Sequence, residues 1–177
     1  MSAAAWYVAR SSGIVAYLLL SASVVLGALM AGRVKFTWPR FVVEEVHRFL
    51  ALLAGVFIVV HASALLLDTV VPISLAQALI PFASPYRPFA VGMGVLAAEL
   101  MAAVGITNYF RSRLPHTVWR RAHYLTLAVW GLATVHGFLA GTDRVDPWFA
   151  GIATATVASV AMVLFTRFSP RRFSSAA

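Results

Sequence analysis

No cysteine occurs among the 177 residues. That excludes disulfides, iron–sulfur clusters and thiolate metal sites, and it leaves the redox compartment open. Charge is nearly as scarce. Asp, Glu, Lys and Arg make up 11% of the chain, against 61% hydrophobic residues and a mean hydropathy of +0.85. A soluble domain of this length needs far more polar surface. Acidic residues are the rarest, six against fourteen Lys and Arg, for a net charge of +8. In a soluble protein such a surplus of base would suggest nucleic acid. Here the bases sit between apolar runs, so no nucleic-acid partner is expected, and their role is to set topology in a lipid bilayer with an anionic face.

The apolar residues come in long runs, which predicts an all-α integral membrane bundle forming one domain over residues 1–177. Five spanning helices are expected, at about 6–31, 41–67, 88–110, 117–140 and 147–167. The first is too long, and too poor in basic residues before it, for a signal peptide. Breakers support the cuts. Pro39 precedes the second helix, Pro115 divides the third from the fourth, and Pro88 and Pro147 fall at helix starts, where a missing N–H does no harm. Residues 68–87 are apolar but broken by Pro72, Pro81 and Pro85. They read as a short interfacial or re-entrant cap over one end of the bundle, in which "ISLAQALI" makes about two helical turns, too few to span. Residues 168–177 form a tail.

Arg33, Lys35, Arg40 and Arg48 flank the first loop. Arg111, Arg113, Arg120 and Arg121 flank the third, and Arg167, Arg171 and Arg172 follow the last helix. All fall on one side of this topology, leaving only Arg10, Arg87 and Arg144 for the other. The positive-inside rule then expects a multi-pass protein of the cell membrane, N-terminus outside and C-terminus cytoplasmic.

Four of the five histidines lie inside expected helices, His47 and His61 in the second, His123 and His136 in the fourth. Those two helices run parallel, so His47 matches His123 in depth, near the cytoplasmic side, and His61 matches His136 near the outer side. At about 1.5 Å per residue, each helix separates its two imidazoles by about 20 Å. The layout suits two stacked haems, each iron held between one imidazole from each helix. The four histidines are thus the candidate metal ligands. A zinc or copper site is disfavoured because the imidazoles fall in two distant layers. A plain interhelical hydrogen bond is the structural alternative for any one of them. His116, after Pro115, reads as a surface residue. One difficulty stands. Spacings of fourteen and thirteen residues return to within about 40° and about 140° of the start, so His123 and His136 do not share a face on an ideal helix. Tilt, a distortion near Gly131, or rotation of one haem against the other would have to absorb the difference.

Several other residues are candidates for the same site. The depth of Arg10 suits a propionate of the outer haem or guidance of an anionic acceptor; a snorkelling arginine is the alternative. Arg87 can serve a propionate from the cap. Arg48, Arg120 and Arg121 adjoin the inner ligands, and one of them is expected to pair with an inner propionate while the rest set topology or dock an acidic flavoprotein. Glu99 is the lone acid well inside a span; such a carboxyl usually faces the bundle, to relay a proton or bond a neighbouring helix. Glu44 and Glu45 are expected to be solvated. Phe57, Tyr124 and Trp130 can pack on porphyrin or serve as ordinary packing and anchors. Gly55, Gly131 and Gly137 can admit a flat ring or let helices approach.

The paired histidines, with "RSSGIVAYLLL", "PFASPYRPFAVGMG" and "WRRAHYLTLAVWGLATVHG", resemble the ferric reductase-like transmembrane family. That family includes ferric reductases, the membrane half of NADPH oxidases and the haem subunit of a bacterial methionine sulfoxide reductase system. The resemblance covers nearly the whole chain. It implies two b haems, His47 with His123 inner and His61 with His136 outer, and an arginine near the place of Arg10. It implies electron transfer from a cytosolic donor to an external acceptor such as ferric iron or oxygen. Larger members carry an FAD and NAD(P)H domain after the last helix. Here "RFSPRRFSSAA" follows, and no Gly-rich dinucleotide fingerprint lies in a strand–turn–helix context. The expected donor is therefore a separate flavoprotein reductase or a quinol. The competing expectations are a quinol-fed haem subunit serving an external reductase, and a haem-binding scaffold without catalysis.

Overall fold

The computed structural model describes residues 2–32, 34–69, 71–141 and 146–168. Arg33, Arg144, Arg171 and Arg172, and the expected tail beyond Phe168, lie outside the described residues. Within them the chain is all helical, with no strand. The helices are α1 (Ser2–Ala31), α2 (Arg40–Leu66), α3 (Leu75–Leu79), α4 (Pro88–Tyr109), α5 (His116–Ala140) and α6 (Pro147–Phe168).

α1 begins four residues before the expected start, because "SAAA" contains strong helix formers and no breaker. α2 and α5 each start directly after a proline, Pro39 and Pro115, whose extended backbone stops the helix from reaching further back. α4 starts with its proline at the first helical position. The segment between α2 and α4 holds α3, whose start is a capping box: Gln77 N–H donates to Ser74 Oγ, and Ser74 N–H donates back to Gln77 Oε1. Phe82, at φ 65°, sits against Gly92 so closely that a Cβ there would collide with its ring. This contact holds the segment down on α4.

Four helices are long and apolar enough to cross a membrane: Ala4–Ala31, Arg40–Leu66, Pro88–Tyr109 and Pro147–Arg167. The chain is a multi-pass membrane protein. α5 misses this group although it has 25 residues. It carries Arg120, Arg121, Thr126, Thr134 and three histidines, which lower its hydropathy.

α1 packs along α2, and α4 along α5, while α1 also touches α5 and α6. Leu20, Val24, Ala54, Val129 and Val160 meet at the centre. Two hydrogen bonds tie α1 to α5 at this level, Tyr17 Oη with Thr134 Oγ1 (3.1 Å) and Trp130 Nε1 to Ser21 Oγ (2.9 Å). Large apolar side chains such as Phe49, Leu52, Val59 and Phe165 point outward. That is the arrangement expected where lipid is the solvent.

Candidate functional site

The four helical histidines meet in two pairs. His47 and His123 have ring centres 6.0 Å apart, and His61 and His136 have theirs 6.1 Å apart. Each pair joins α2 to α5, which otherwise face one another without close backbone packing. The ring planes stand at 68° and 82° to each other. Among the described residues, no hydrogen bond joins the two imidazoles of either pair. Two imidazoles sharing one metal, each bonded at about 2 Å through a nitrogen about 1.1 Å from its ring centre, would have centres about 6 Å apart. The spacing therefore fits a metal held between each pair.

Three of the imidazoles are fixed from behind in the same way. The Nδ1–H of His61 donates to Ala9 O (2.7 Å), that of His47 to Ser23 O (2.9 Å), and that of His136 to Ala90 O (2.8 Å). A carbonyl only accepts, so the proton sits on Nδ1 and Nε2 keeps a bare lone pair, the tautomer a metal requires. Each acceptor lies four residues before a glycine: Ala9 before Gly13, Ser23 before Gly27, Ala90 before Gly94. A Cβ at these glycines would lie 2.9 Å from His61 Nδ1, 3.1 Å from His47 Cε1 and 2.5 Å from His136 Nδ1. The glycine removes the side chain that would cover the carbonyl one turn earlier, and the imidazole occupies its place. Ser23 adds its hydroxyl, 3.1 Å from His47 Nδ1 and donating to His47 O at 3.3 Å.

His123 is the exception. Its Nδ1 is buried with no hydrogen-bond partner, as is Nε1 of Trp119, whose indole stacks on it at 5.3 Å and 23°. This is where the thirteen-residue spacing leaves its mark. α5 is an uninterrupted α-helix, so no bulge near Gly131 supplies the missing angle. His136 leaves α5 toward α4 and its carbonyl, while His123 leaves from another side and rests on its own helix.

A family model described as the ferric reductase like transmembrane component matches residues 12–134. The chain belongs to this family. The ferric reductase-like domain is a membrane electron-transfer component, and domains of the family generally bind haem. The match takes in His47, His61 and His123 and stops two residues before His136. No curated protein and no solved structure matches the chain.

The arginines of this ferric reductase-like chain are engaged in different ways. Arg10 lies against two indoles, 4.9 Å from the ring centre of Trp6 and 5.5 Å from that of Trp148, one residue after the carbonyl that holds His61. Arg87 donates to Leu139 O (2.8 Å) and Ala140 O (3.3 Å), satisfying the end of α5 just past His136. Arg48 is ion-paired with Glu45 (2.7 Å), and Arg40 with Glu44 (3.1 Å), all of them exposed. Arg120 and Arg121 are exposed. His116 is exposed and tilts over Trp119 at 5.7 Å.

Glu99 is a correction. It is exposed and turned away from the bundle, not into it. Trp130 is held by its bond to Ser21, and exposed Tyr124 accepts from Arg167 Nη2 (3.1 Å). Gly55, Gly131 and Gly137 touch nothing that a Cβ would meet within 4 Å, so no helix approaches closely there. The glycines that matter to the site, Gly13, Gly27 and Gly94, were not singled out from sequence. A signal existed: Gly13 and Gly27 are separated by the same fourteen residues as His47 and His61.

Proposed function

We propose that the chain is a five-helix transmembrane di-haem b cytochrome. It carries electrons from a separate flavoprotein reductase on the cytoplasmic side to an external acceptor such as ferric iron or oxygen. The observation that carries this reading is the meeting of four histidines as two pairs, with ring centres 6.0 and 6.1 Å apart, on two helices. His47 and His123 would hold an inner haem, and His61 and His136 an outer one. When bound, each haem supplies a one-electron centre, and the two together span the bilayer.

α5 is the fifth span in this reading. Its 25 residues reach about 37 Å, more than the hydrocarbon core requires. His123 and His136 meet His47 and His61 of α2. Ala9, Ser23 and Ala90 hold three imidazoles in the ligating tautomer. The two histidines of each pair would hold the iron between them, and an acceptor would then take its electron without binding the iron. Arg10, next in the chain to the carbonyl that holds His61, and Arg87, bonded to the end of α5 just past His136, would take outer propionates, while Arg48 or Arg121 would serve the inner ones. The bias of Lys and Arg supports an external N-terminus and a cytoplasmic C-terminus.

A pyridine haemochrome assay and a redox-titrated spectrum of the purified protein test this. The expected result is two low-spin b haems per chain; absence of that spectrum sinks the proposal. His61→Ala and His136→Ala should each remove the outer haem and spare the inner, and His47→Ala and His123→Ala the reverse. Equal loss of both haems in every variant would reject the pairing. Reduction by NAD(P)H through an added flavoprotein is expected; reduction by a quinol analogue alone would replace the donor named here.

A further inference from the structure

Each of the three backbone acceptors behind an imidazole is a carbonyl followed four residues later by a glycine. On α1 the two such seats, Ala9–Gly13 and Ser23–Gly27, lie fourteen residues apart. Fourteen residues return to within about 40° of the start, so both open on one face, toward α2. α4 carries the third seat at Ala90–Gly94. Fourteen residues on, the same face of α4 presents Val104 and Asn108, and Val104 is buried as Ala90 is. This climb of about 20 Å along α4 matches the one from His136 back to His123 on antiparallel α5. A fourth seat would therefore fall at the level of His123. It is closed. Val104 O accepts from Thr107 Oγ1 (2.9 Å), and Asn108 stands where the other seats have glycine. His123 accordingly keeps a buried Nδ1 without a hydrogen-bond partner and rests on Trp119, whose Nε1 is also unpartnered.

An acceptor behind a ligating imidazole fixes the orientation of the ring and makes the ligating nitrogen more basic; losing it weakens metal binding about 10-fold to 100-fold. Both members of the outer pair, His61 and His136, have such an acceptor, and so does His47. His123 has none, and its buried N–H gains from turning toward any other acceptor. On the premise of the di-haem reading, we propose that His123 is an exchangeable ligand and that the inner pair, unlike the outer, is a binding site for a small uncharged ligand of the carbon monoxide type, seated opposite His47 in the place of His123. In the exchange the bond between His123 and the iron breaks and a bond from the carbon of the ligand to the iron forms. The imidazole leaves neutral, so no proton or electron moves. Trp119, four residues earlier on the same helix, stacks on the departing ring and sets how readily it leaves.

The test titrates the purified, haem-loaded full chain, reduced with dithionite, with carbon monoxide and follows the Soret band. Half of the haem should respond, one carbon monoxide per chain, and the other half should stay unchanged. Trp119→Ala removes the ring that rests on His123. It should speed carbon monoxide association about twofold to tenfold, the worth of one aromatic contact, with the other half of the haem still unreactive. Trp119→Phe keeps a ring there and should stay close to wild type. Two bis-histidine b haems that both refuse carbon monoxide, or both take it, overturn the exchange and leave the di-haem reading intact. Half-reactivity indifferent to Trp119→Ala also overturns it, because the responding haem is then not the one His123 holds. Absence of the b-haem spectrum before any carbon monoxide is added removes the di-haem reading and this inference with it.

Discussion

Gly94 and His136 are so close that no side chain fits between them: a Cβ on Gly94 would lie 2.5 Å from His136 Nδ1. Gly94→Ala must therefore displace the imidazole or part α4 from α5, at a cost of about 1–3 kcal/mol. Under the di-haem proposal the expected outcome is loss of the outer haem with the inner one retained, read as haem per chain. Gly27→Ala, where the contact is 3.1 Å, should be milder. Equal tolerance of both substitutions would count against the glycine–carbonyl seat.

Ser23 reaches His47 through both its carbonyl and its hydroxyl. Ser23→Ala removes only the hydroxyl. Both haems should remain, with a stability loss of about 1 kcal/mol or less in a denaturant titration. Loss of the inner haem would show that the hydroxyl, rather than the backbone, positions His47.

Trp119 covers His123 without offering it a hydrogen bond. Trp119→Phe keeps a ring on the imidazole and deletes a buried, unpaired N–H, so inner haem content should be unchanged. Trp119→Ala removes the cover and should lower inner haem content while the outer haem stays. An equal effect of the two substitutions would mean that stacking is not what holds His123.

The imidazole planes of the two pairs stand at 68° and 82°. Near-perpendicular axial imidazoles give highly anisotropic low-spin ferric signals in electron paramagnetic resonance. Both haems should show them, and an ordinary rhombic signal from either would mean that its ligand rings lie parallel.

Tyr17 Oη meets Thr134 Oγ1 between α1 and α5. Tyr17→Phe should cost about 0.5–1.5 kcal/mol of stability and leave haem content unchanged. Loss of either haem would move Tyr17 from scaffold to site.

The sequence made the helices legible because prolines cut the apolar runs and four histidines recur at matched depth. It was less informative where the physics depends on which face a residue occupies. Glu99 was expected to look inward, as polar groups in single bundles do, but its own period places it opposite Ala90 and Gly94. α5 was expected to span like its neighbours, yet its arginines, histidines and threonines lower its hydropathy and it is not among the four candidate spans. Gly13, Gly27 and Gly94 passed as ordinary small residues because a glycine in a span has several uses. Only the identity of the carbonyl one turn earlier tells this use apart. The odd spacing of His123 was visible as a number, and its consequence, an imidazole without a backbone acceptor, needed coordinates.

The acceptors behind His47, His61 and His136 are backbone carbonyls. No point mutation can delete a carbonyl, so selection has no direct handle on these bonds. Their heritable weak points are instead the three glycines against which these imidazoles rest, where the gain of a single methyl group does the damage. Loss-of-function variants of this protein should gather at Gly13, Gly27 and Gly94 as well as at the histidines.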